Sequence, residues 1–188
     1  MIKVIHRVNE IEKLKSLAKN NGVEIDIRSY NSKIILNHEP LINGIEFEEY
    51  VKNFDHALLI CNVKESGLDG YIIDILDKYD ITNYFLLDID MPTVYKFINN
   101  KFSKFALRVS RLEPIESINY FENFADWIWF DTISDFDISN HEIGFLKQTK
   151  LKICLTDRSI ISTSFQIKKN WLNFFEDNNI PIEAICTK

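Results

Sequence analysis

The chain is poor in the residues that build special-purpose folds. Its five glycines and four prolines exclude collagen-like and Pro/Gly-rich low-complexity character. Its three cysteines, Cys61, Cys154 and Cys186, are an odd number, far apart, without CxxC spacing, and each lies in an apolar stretch. They read as buried free thiols, not as a disulfide framework or a zinc site. No apolar run reaches the ~18–20 residues of a membrane span. Charges interrupt the opening MIKVIHRVNEIEKLK every few residues, so it lacks a signal-peptide layout, and cytoplasm is the expected compartment. Positive charge is not in excess. A net charge of -6 and a pI near 5.3 argue against nucleic acid as the main partner. Neither GxGxxG nor GxxxxGK[ST] occurs, which weighs against the usual nucleotide-binding α/β folds.

What is present is apolar material in quantity. With 188 residues, 46% hydrophobic and 13% aromatic, the chain is predicted to fold as one domain with a sizeable core. Apolar runs at Ile2–His6, Val23–Arg28, His56–Lys64, Tyr84–Asp88, Phe105–Ser110, Trp127–Asp131, Leu151–Thr156 and Ile182–Cys186 read as eight strands. Lys33–Asn37 reads as the hairpin partner of the second strand, across the turn Ser29-Tyr30-Asn31-Ser32. Helical spacing follows most strands: Glu10–Lys19, Leu68–Lys78, Pro92–Asn99, Pro114–Phe121, Asn140–Gln148 and Phe165–Asp177, with a short helix within Phe47–Phe54. Gly22 is expected to end the first helix at positive φ. Thr132–Asn140 is polar enough for a long loop.

Near-continuous apolar strands alternating with helices suit a parallel sheet covered by helices. The predicted class is α/β: a small (β/α)8 TIM-type barrel with a short hairpin after strand two and no helix after the last strand. A doubly wound open sheet is the competitor. Shared among eight units, 188 residues leave about 23 each, well below a typical barrel of ~250 residues in total. The uncovered last strand would favour a partner subunit, with a homodimer as the simplest form.

In a parallel barrel, catalytic groups come from the C-terminal ends of strands. Strand one ends in His6-Arg7. Glu24, Asp26 and Arg28 alternate along strand two and so share one face. Two carboxylates on one face need a cation between them, either a divalent metal or Arg28 or Lys64. The hairpin ends in Asn37-His38-Glu39-Pro40, and strand three ends in Asn62-Val63-Lys64. His56 and His141 have no such company and are read as surface residues. Later strand ends offer Asp88 and Asp90, Arg108, Trp129 and Asp131; Trp127 and Trp129 share a face, which makes core packing the simpler role for at least one.

This order of residues resembles the glycerophosphodiester phosphodiesterases and their relatives in the phosphatidylinositol-phospholipase-C-like barrel superfamily. Their pattern is an HRG opening, E-x-D on the second strand, a hairpin ending in His-Asp, and acidic-x-Lys on the third strand. The matching residues are His6-Arg7, Glu24-Ile25-Asp26, His38-Glu39-Pro40 and Asn62-Val63-Lys64, and the match runs to about residue 64. Val8 stands where the family has glycine, and Asn62 replaces the third-strand metal carboxylate.

The resemblance implies metal-dependent hydrolysis of a phosphodiester, a glycerophosphodiester or a related glycan or lipid head-group diester. Glu24, Asp26 and Asn62 would hold Mg2+ or Ca2+, without an organic cofactor. His6 and His38 would be general base and acid. Arg7 and Lys64 would neutralise phosphate oxygens. Arg28, Asp88, Arg108, Trp129 and Asp131 would contact the rest of the substrate. Two other readings stay open: a barrel that binds a phosphorylated sugar or glycerol without turnover, and unrelated barrel chemistry with Lys64 or Lys188 as a Schiff-base lysine.

Overall fold

Alternating strands and helices organise the computed structural model, which describes residues 1–132, 135–157 and 170–188. The first half contains β1 (Ile2–Ile5), α1 (Ile11–Ser16), β2 (Gly22–Tyr30), β3 (Lys33–Leu36), β4 (Ile45–Glu46) and α2 (Phe47–Val51). It continues through β5 (Leu58–Val63), α3 (Asp69–Lys78), β6 (Tyr84–Leu87) and α4 (Met91–Asn99). The second half contains β7 (Ala106–Val109), a 3₁₀ helix (Ile115–Tyr120), β8 (Trp127–Phe130), α5 (Asn140–Gln148), β9 (Lys152–Thr156), α6 (Trp171–Asp177) and β10 (Ala184–Thr187). Among the described residues this makes a mixed α/β fold with a ten-stranded sheet and seven helices, one of them 3₁₀. None of those helices is long and apolar enough to cross a membrane.

Eight strands run parallel in the spatial order β6-β5-β2-β1-β10-β9-β8-β7. β6 and β7 meet at one bridge, Leu86 to Phe105, where Leu86 N–H donates to Lys104 O at 3.0 Å. β3 returns antiparallel on β2, and the unforeseen β4 pairs with β3.

Alternation divides the core in two. Val23, Ile25 and Ile27 of β2, with Leu59, Cys61 and Val63 of β5, face the cluster that also takes in the helices. The opposite face carries a second cluster made from strand residues alone: Val4, Leu58, Ile60, Phe85, Leu87, Ala106, Trp127, Trp129, Cys154, Ala184 and Cys186. Phe85 and Trp127 stack there at 4.7 Å. On this second face, residues nearer the strands' C-terminal ends are polar. Burial therefore fixes where the chemistry can lie. All three cysteines are buried and free.

Several local expectations need correction. Gly22 is not a helix terminator at positive φ; it opens β2, where an added Cβ would lie 2.9 Å from Val4 Cγ2. Close approach of strands, not backbone conformation, demands glycine. The first helix stops at Ser16 because Leu17 turns extended, with ψ 150. The helix expected over Pro114–Phe121 is a single 3₁₀ segment, Ile115–Tyr120, and the strand expected over Phe105–Ser110 contracts to Ala106–Val109. His56 is not a surface residue: its side chain is fully buried, its ring 5.7 Å from that of Phe54. His141 is exposed, as expected. Residues 133–134 of the expected long loop and 165–169 of the last expected helix lie outside the described residues.

Candidate active site at the strand ends

The C-terminal ends of β1, β2 and β5 bring together the residues singled out from the first third of the chain. Glu24 and Asp26 lie on the face opposite Val23, Ile25 and Ile27, and both are buried. Register places Asn62 of β5 directly beside Asp26. Glu24 Oε1 accepts from Asn62 Nδ2 at 2.9 Å, and its Oε2 accepts from the Arg7 N–H at 2.8 Å. His6 Nε2 lies 3.6 Å from the same Oε2. Burial, then the charge of Asp26, push the Glu24 carboxyl well above the ordinary carboxylate range.

Asp26 is held differently. Asn9 Nδ2 donates to its Oδ2 at 3.0 Å, while the Asp26 N–H donates to Asn9 Oδ1 at 2.9 Å. Its second oxygen, Oδ1, is 3.6 Å from Lys64 Nζ and has no hydrogen-bond partner among the described residues. Asn62 Oδ1 is likewise buried and without a partner. Two neighbouring buried oxygens thus lack donors, a costly arrangement unless a cation or donor reaches them. Two carboxylates and an amide oxygen form a hard donor set suited to Mg2+ or Ca2+. Among the described residues, no group of three or more His, Cys, Asp and Glu side chains is so arranged.

Backbone geometry at the end of β1 differs between Arg7 and Val8. Arg7 takes the left-handed conformation, φ 54, whereas Val8 does not and is wholly buried in the helix-side core. Val8 therefore sits at this turn without strain. That turn aims the Arg7 guanidinium at His38, donating to Nε2 at 2.6 Å. With Nε2 accepting, Nδ1 carries the imidazole proton and donates to Glu39 Oε1 at 2.6 Å. His6, by contrast, is pushed down to about 4, first by burial and then by the Arg7 charge, so it is neutral at pH 7.

The later residues form a neighbouring ionic cluster. Asp88 lies 3.5 Å from Lys64 Nζ through Oδ2 and pairs with Arg108 through Oδ1. Arg108 also pairs with Asp131 and has Glu113 at 3.9 Å. Asp88, like Arg7, is left-handed, φ 60, at a strand end. Trp129 sits in the strand-only cluster, nearly buried, with its Nε1 lacking a partner.

Arg28 does not join the carboxylates. Its Nε and one terminal nitrogen donate to the His38 carbonyl at 3.1 Å each, and Glu65 lies 3.6 Å away. It anchors the hairpin end that carries His38. Asp90 caps α4, accepting from the Thr93 N–H at 2.8 Å. Sequence reasoning missed Asn9, Glu39 as partner of His38, and Glu65. The one signal for Asn9 was its polarity three residues after His6, on the way into α1. Comparison with family models and with curated proteins gives no match for the chain.

Proposed function

We propose that the chain is a metal-dependent phosphodiesterase built on a small (β/α)8 barrel, related to the glycerophosphodiester phosphodiesterases. Two features support the barrel: the end strands β6 and β7 of the parallel array touch, and among the described residues the strand-only apolar cluster is buried without a helix against it. An open sheet would leave that face to solvent or to helices. The single observation that carries the activity is the buried Glu24–Asp26 pair beside Asn62, with two donorless oxygens.

Glu24, Asp26 and Asn62 would hold the cation, which when bound supplies Lewis-acid stabilisation of phosphate oxygens. Neutral His6 takes the proton of a substrate hydroxyl neighbouring the phosphate, so that this oxygen attacks phosphorus. Arg7 moves from His38 Nε2 to a non-bridging oxygen, and Lys64 neutralises another. The vacated Nε2 then takes up a proton, with Glu39 stabilising the imidazolium, and delivers it to the departing alkoxide. The product is a cyclic phosphate that water can open.

The test is hydrolysis of glycerophosphodiesters by purified protein with Mg2+, Ca2+ or Mn2+. Turnover should vanish with chelator and in His6→Ala. Turnover indifferent to both would sink the assignment, and metal-dependent binding of glycerol phosphate without turnover would support a binding protein instead.

A further inference from the structure

We propose that the substrate is an asymmetric diester whose apolar alcohol lies in a cavity at the β6–β7 seam. This rests on the phosphodiesterase reading of the adjoining site. The cavity arises because the two strands share one bridge: past Leu87 the chain turns away at left-handed Asp88, and Asp90 immediately starts α4. Between the parted strand ends lies a space of 520 Å³, walled by Ile89, Met91, Val94, Leu107, Ile118 and Phe121. That volume is in the range of small-ligand pockets.

One end of this space is the Asp88–Arg108 pair, which also reaches Lys64 and Asp131. The cavity thus shares Asp88 with Lys64, one of the cations assigned to the phosphate. Its other polar groups each have a partner: Asp90 accepts from the Thr93 N–H at 2.8 Å, Ser117 Oγ donates to Pro114 O at 2.7 Å, and Glu113 accepts from Ser110 Oγ at 2.5 Å. Against the apolar wall a sugar or glycerol would leave its hydroxyls unsatisfied. An alkyl or isoprenoid group would not, and Met91, 57% exposed, lets a longer chain pass to the surface. A separate space of 480 Å³ between α1 and the hairpin is more polar: Arg7, Asn9, Lys13, Asn37, His38 and Asn43 line it beside Leu36 and Ile45. A diester has two arms, and the two spaces differ in the chemistry they can take.

The experiment compares glycerophosphomethanol with glycerophosphooctanol below the micellar concentration, measuring kcat/KM from release of methanol or octanol. Binding of methyl phosphate and octyl phosphate is measured in parallel by calorimetry. Each methylene that enters the cavity should improve binding about three- to fourfold. The octyl compounds should therefore be favoured by at least about 50-fold, and Met91→Asp and Phe121→Ala should each cut that ratio at least about tenfold. Equal hydrolysis of the two diesters would overturn the cavity assignment and leave the phosphodiesterase reading standing. Absence of hydrolysis, with octyl phosphate still preferred and the preference lost in both variants, would overturn the catalytic reading and uphold the cavity. Equal binding of the two phosphates overturns the cavity assignment in either case.

Discussion

The Arg7 guanidinium and His38 Nε2 are 2.6 Å apart, so the imidazole nitrogen facing the site is an acceptor held by a cation. That contact must break before His38 can give up a proton there. Replacing Arg7 by lysine keeps the charge but loses the planar fork that reaches both His38 and a phosphate oxygen. We expect Arg7→Lys to lower kcat on a glycerophosphodiester by about 10²-fold, and His38→Gln by about 10²–10⁴-fold. Steady-state rates decide this. A His38→Gln enzyme with full kcat would remove His38 from the mechanism.

Asn62 offers the site an uncharged oxygen. Asn62→Asp adds a third carboxylate beside Glu24 and Asp26, so the metal-free protein should melt lower and the metal-bound protein higher. Calorimetric titration with Mg2+ and Ca2+ should give at least about tenfold tighter binding than wild type, since an ion pair replaces an ion–dipole contact. Unchanged affinity would place the cation elsewhere.

Arg108 serves three carboxylates, and Asp131 among them is nearly buried. Arg108→Met would remove the guanidinium from Asp88 and Asp131, at a cost of about 1–3 kcal/mol. Urea unfolding should show it as a lower midpoint at unchanged slope. Simultaneous Asp131→Asn should recover part of the loss, whereas an additive double variant would deny the coupling.

Acid stability provides a test of His6. Its folded value of about 4 lies below the ordinary 6.5, so the unfolded chain binds more protons across that window. Stability from this residue is therefore complete above 6.5 and lost as the pH falls to 4. Glu24 acts with the opposite sign, because its raised carboxyl favours the fold at low pH and loses that contribution as pH climbs from the ordinary 4.5. In chelator, His6→Asn should show a smaller rise of urea midpoint between pH 4 and 6.5 than wild type. Parallel profiles would mean that His6 is not desolvated.

Tyr50 is a control far simpler in chemistry. Its hydroxyl is buried with no hydrogen-bond partner, and burial raises its ionisation beyond reach. Removing an unsatisfied hydroxyl relieves its desolvation, so Tyr50→Phe should stabilise by about 1 kcal/mol in urea unfolding. A loss of that size would reveal a partner for the hydroxyl.

Much of this arrangement could be read from the chain because it depends on local pattern. Strands buried on both faces are unbroken apolar runs, and two-residue alternation places Glu24 and Asp26 together without knowledge of the fold. What could not be read depends on pairing across the chain. Asn9 looks like any loop asparagine until β2 brings Asp26 against it. His56 sits beside Asp55 in the sequence and looks solvated, yet the folded chain encloses its ring. Arg28 has the right spacing for the site, but the hairpin's return offers it the His38 carbonyl. The parting of β6 and β7 has no local signature, since both are ordinary apolar strands.

The left-handed backbone at Arg7 has an implication for how this protein can change. An arginine holds φ 54 only at a conformational cost of about 1–3 kcal/mol, which glycine would not bear. The substitution that relaxes the chain at this point is also the one that deletes the guanidinium from His38. Selection for thermal robustness and selection for turnover thus oppose each other at one residue, and heat-resistant variants arising at position 7 should be the sluggish ones.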